Sequence, residues 1–152
     1  MTLDNANAQT TATTTTSRRP QWLPAIARVL MGLAFLVFGL NGFLNFMTPK
    51  EMPPKDIMDV VGALMKAGYM KVISGAEVIA AVMLLTNRFV PLALALLAPI
   101  LVGIITFHIT MQMSTIVPGI VLLAIELYLA WAYRGAFRPM LAAKVSPGAT
   151  NS

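Results

Sequence analysis

Residues 90–111 read VPLALALLAPILVGIITFHITM. No acidic residue, lysine or arginine interrupts that run, and none follows until Glu126. A membrane-crossing helix needs roughly 20 mainly apolar residues. This stretch meets that length on its own and sets the frame for the rest of the chain.

Working outward, the same pattern recurs three times. Only Arg28 interrupts the apolar run after Trp22, and only Glu77 the run after Lys71. Only Glu126 lies between Phe89 and Tyr133. Spans are expected at about 23–46, 69–86, 90–111 and 116–133. Lipid offers nothing to an open backbone group, so each span must be helical. A β-barrel is disfavoured because the runs lack alternation of period two. The expected fold is therefore all-α, an integral membrane four-helix bundle. The Thr-rich residues 1–20 read as a disordered cytoplasmic tail, 21–138 as the membrane domain and 139–152 as a flexible cytoplasmic tail.

Composition agrees. Hydrophobic residues make up 57% of the 152 residues and charged residues 11%, against about 25% charged in a soluble domain. The mean hydropathy is +0.74. The net charge of +5 comes from scattered positive residues, which argues against a nucleic-acid surface. Zero cysteines exclude a disulfide framework and an iron–sulfur cluster. A single histidine excludes a bis-histidine haem or metal site within one chain.

Seven charges crowd into one connection: Lys50, Glu51, Lys55, Asp56, Asp59, Lys66 and Lys71. Within it, Ile57, Met58, Val60, Val61, Leu64 and Met65 recur at helical spacing. Pro53-Pro54 suits a helix start. A short amphipathic helix in the first outer loop is expected, lying on the surface or capping the bundle; a loop packed on the bundle ends is the alternative. The N-terminal tail, the Asn87-Arg88 turn and the C-terminal tail hold Arg18, Arg19, Arg28, Arg88, Arg134, Arg138 and Lys144. By the positive-inside bias both termini are expected in the cytoplasm. Arg28, near that side, is expected to snorkel to lipid phosphates.

A central intramembrane charge costs roughly +2.5 to +3.5 kcal/mol on insertion scales, so the polar residues inside the runs carry the functional signal. They are Asn41, Glu77, His108 and Glu126, one per helix. At about 1.5 Å per residue, Glu77 lies about 12 Å and Glu126 about 15 Å below the outer helix ends, with Asn41 and His108 about 7 Å below them. All four fall in the outer half, so a four-helix arrangement can bring them to one pocket. Ser74 lies one turn before Glu77. Such a set could hydrogen-bond and protonate a quinone carbonyl, or move protons. It could equally glue helices together. The eleven methionines read as packing; Met111-x-Met113 is the one pair near the outer surface that suggests a ligand.

The combination Arg28-x3-Gly32-x6-Gly39-x-Asn41, Ser74-Gly75-Ala76-Glu77, Arg88-Phe89-Val90-Pro91, Pro99 and Phe107-His108 resembles the DoxX family of small four-helix bacterial membrane proteins. The resemblance runs from about Ala27 to Tyr133. Asn41-Gly42 stand where the family often carries a lysine. The resemblance implies a multi-pass inner-membrane protein acting as an accessory subunit of a quinone-linked oxidoreductase. Quinone is then the expected ligand, and a membrane redox complex supplies the protein partners. A non-catalytic scaffold, a small transporter or proton path, and self-association remain open.

Overall fold

The computed structural model describes residues 22–47 and 52–140. The chain is helical, with no strand among these residues. Its elements are α1 (Trp22–Leu44), α2 (Lys55–Lys66), α3 (Tyr69–Leu85), α4 (Val90–Met111), a 3₁₀ turn (Met113–Thr115), α5 (Val117–Ala132) and α6 (Arg134–Phe137). The expected tail at 1–20, and all of the expected tail at 139–152 except residues 139 and 140, lie outside the described residues.

Each boundary has a local cause. α1 ends at Leu44, two residues before the expected 46. Asn45 turns into the left-handed region at φ 49°, and its N–H reaches Asn41 O at 2.8 Å. The Asn41 side chain then accepts from Met47 N–H at 2.7 Å. The amphipathic segment forms α2 and stops at Gly68, whose φ of +76° favours glycine. α2 and α3 meet there at 76°. The α3–α4 turn is a Schellman closure. Arg88 N–H bonds Met83 O at 3.0 Å and Asn87 N–H bonds Leu84 O at 3.2 Å, with Asn87 at φ 56°. Pro91 and Pro118 each fall in a first helical turn, where the missing N–H costs nothing.

Four of the helices pack as a ring in the order α1, α3, α4, α5 and back to α1. The core is Met31 and Phe35 of α1, Ala80, Ala81 and Leu84 of α3, Leu94, Leu97 and Leu101 of α4, and Leu122 and Leu129 of α5. The closest approach is between α1 and α3. A Cβ on Gly32 would meet Leu85 Cγ at 2.9 Å, and one on Gly39 would meet Val78 Cγ2 at 2.8 Å. A Cβ on Gly42 would fall on Ser74 Oγ. These three glycines let two helices touch along their backbones.

The outside of the ring is apolar. Val72, Val102 and Leu127 are more than 60% exposed, which water would penalise and a bilayer would not. α1 and α4 are each long and apolar enough to cross a membrane, and the bent α2–α3 pair counts as a third candidate. α3 by itself has 17 residues and α5 has 16.

Candidate functional site

Arg28 corrects an expectation. It does not snorkel outward. It is buried, and its guanidinium donates to Leu84 O of α3. The reason is rotational. Arg28 lies on the same stripe as Gly32, Phe35 and Gly39, the buried face of α1. Leu84 belongs to the last turn of α3, where carbonyls lack helical partners. A cation there also meets the negative end of the helix dipole.

Ser74 and Glu77 share one face of α3 and both are buried, while Lys71, three residues before Ser74, is exposed. Glu77 sits at the middle of α3, its Cβ 3.1 Å from where a Cβ on Gly39 would stand. Its carboxyl therefore begins in the α1–α3 seam. Among the described residues it makes no ion pair or hydrogen bond.

Glu126 is buried on α5, and its Oε2 is shut off from solvent with no hydrogen-bond partner among the described residues. Its neighbours Ile125 and Tyr128 line a crevice with Leu23, Ile26, Ala27 and Leu30 of α1. Measured along α1, that crevice near Ala27 lies twelve positions from Gly39, about 18 Å.

Asn41 is committed to the α1 terminus through the Met47 bond. His108 is half-buried near the end of α4. Its Nδ1 lies 2.7 Å from Ile104 O on its own helix, and its ring stands edge-on to Phe107 at 5.8 Å. No hydrogen bond or ion pair joins any two of Asn41, Ser74, Glu77, His108 and Glu126 among the described residues. Ser74 and Glu77 are brought together by their helix face. No group of three His, Cys, Asp or Glu gathers as a metal site among the described residues.

Sequence reasoning missed Arg28 as an internal residue. The signal was present in its spacing of four, seven and eleven from Gly32, Phe35 and Gly39. No family model, no curated protein and no solved structure matches this chain.

Proposed function

We propose that this chain is a four-helix integral membrane protein in which α1, α3, α4 and α5 all cross the bilayer. The reading follows the DoxX resemblance: an accessory subunit of a quinone-linked oxidoreductase in a bacterial inner membrane, with both termini cytoplasmic. Glu77, with Ser74 one turn away, offers the polar end of a ligand site for a quinone or similar small apolar molecule, and Glu126 a second carboxyl. The observation that carries it is Glu77 itself: a buried carboxyl at the centre of an apolar helix, with no ion-pair partner among the described residues. Retaining such a group costs stability, and a ligand able to share a proton with it gives that cost a purpose.

The test is mass spectrometry of an organic extract from protein purified in native-lipid nanodiscs. A near-stoichiometric quinone in the wild type, lost in Glu77→Gln, supports the reading. An empty wild-type extract, together with unchanged quinone reduction in Glu77→Gln membranes, overturns it.

A scaffold role draws on one specific observation. α2 contacts α3 and has Ile57 buried, yet leaves Met58, Val60 and Met65 exposed. A photo-crosslinker at Met58 that traps a second protein species favours this reading; self-crosslinks alone count against it.

A further inference from the structure

We infer that His108, Met111 and Met113 form a binding site for a soft monovalent d¹⁰ cation, copper(I), where α4 ends. The site is independent of the quinone reading and uses none of Ser74, Glu77 or Glu126.

The histidine geometry points to it first. A carbonyl can only accept, so the 2.7 Å contact with Ile104 O requires Nδ1 to carry the proton. The lone pair of the neutral imidazole then lies on Nε2, where no hydrogen-bond partner stands among the described residues. One nitrogen donating to a backbone carbonyl while the other is left as a base is how metal-ligating histidines are oriented. The edge-on contact with Phe107, at an interplanar angle of 81°, further restrains the ring.

The thioethers supply the softness. Met111 is three residues after His108, one helical turn along the same face. α4 stops there, because Gln112 adopts φ −146° and ψ 60°. The chain then folds at once into the 3₁₀ turn, held by Thr115 N–H to Gln112 O at 3.2 Å and Ile116 N–H to Met113 O at 3.3 Å. Met113, at the start of this turn, is 60% exposed, while Met111 is half-buried. Three rotatable bonds let each thioether swing onto a shared ion. One imidazole and two thioethers form a neutral donor set. Soft sulfur ligands of this kind select copper(I), whereas magnesium, calcium and manganese prefer carboxylate and carbonyl oxygen.

The test uses the full-length chain in detergent, titrated anaerobically with silver(I) as a redox-inert probe and followed by calorimetry. The methyl ¹³C resonances of its methionines are recorded alongside. The expected result is one ion per chain, with shifts confined to two methionine methyls. Met111→Leu/Met113→Leu should weaken binding by more than the roughly tenfold cost of losing an outer-shell partner. Met58→Leu/Met65→Leu should bind as the wild type does. Three results overturn the proposal: no binding to the wild type, equal binding by the Met111/Met113 variant, or zinc(II) held as tightly as silver(I). If the double variant fails to fold, the methyl shifts of the wild type decide, since a site elsewhere would move other methionines.

Discussion

The guanidinium of Arg28 and the carbonyl of Leu84 join the first half of α1 to the last turn of α3. Leu84 O also accepts from Asn87 N–H, so both of its lone pairs are used. A charge-assisted hydrogen bond of this kind contributes about 1.5–3 kcal/mol. Arg28→Met, which keeps much of the side-chain bulk, should lower the melting temperature in detergent, and Arg28→Lys should recover part of the loss. A melting temperature unmoved by Arg28→Met would show that the bond contributes nothing to stability.

The α1–α3 seam gives a second expectation. Gly42→Ala places a methyl on Ser74 Oγ, an overpacking that costs about 1–3 kcal/mol. Ser74→Ala in the same chain should relieve part of it. Gly62 of α2 and Gly103 of α4 have no atom of the described residues within 4 Å of an added Cβ. Alanine there should instead stabilise by about 0.5–1 kcal/mol. Thermal denaturation of the four variants distinguishes a packing glycine from an incidental one.

Glu126 should show stability and function pulling apart. Its Oε2 is buried with no partner, and an unsatisfied polar atom costs about 1–3 kcal/mol. Glu126→Leu should therefore raise the melting temperature while lowering bound quinone. A variant that is destabilised would mean that the carboxyl is satisfied in the bilayer by a group beyond the described residues.

α2 can be placed against the bilayer directly. Its sharp angle to α3 sets it across the ring's end, with Met65 exposed beside the charged Lys66. Tryptophan at Met65 should be quenched by brominated lipid, and tryptophan at Lys66 much less. Equal quenching at both positions would argue against an interfacial helix.

Charge and hydropathy made the helices legible. Residues 90–111 form α4 with the expected ends, and α3 and α5 fall within one residue of theirs. Rotation about each axis was less accessible, because these helices are apolar nearly all round and a weak amphipathic signal does not say which face turns inward. Arg28 shows the consequence: hydropathy gave its depth, but only the glycine stripe beside it marked its face as buried. Asn41 shows another. Its depth suited a pocket, but four residues on the chain turns left-handed at Asn45, and the amide is needed where the helix ends. Hydropathy does not see such local hydrogen bonding, which competes with longer-range roles for the same side chain.

The ring alternates in length. α1 and α4 have 23 and 22 residues, while α3 and α5 have 17 and 16. At about 1.5 Å per residue the long pair spans about 34 and 33 Å and the short pair about 26 and 24 Å. With all four in the bilayer, as proposed above, hydrocarbon of about 30 Å would be too thin for one pair and too thick for the other. Tilting answers the first mismatch, and local thinning of the bilayer the second. Going round the protein, lipids would meet deep and shallow walls in turn. Such a body is expected to partition into thinner membrane regions and to draw short-chain lipids against α3 and α5.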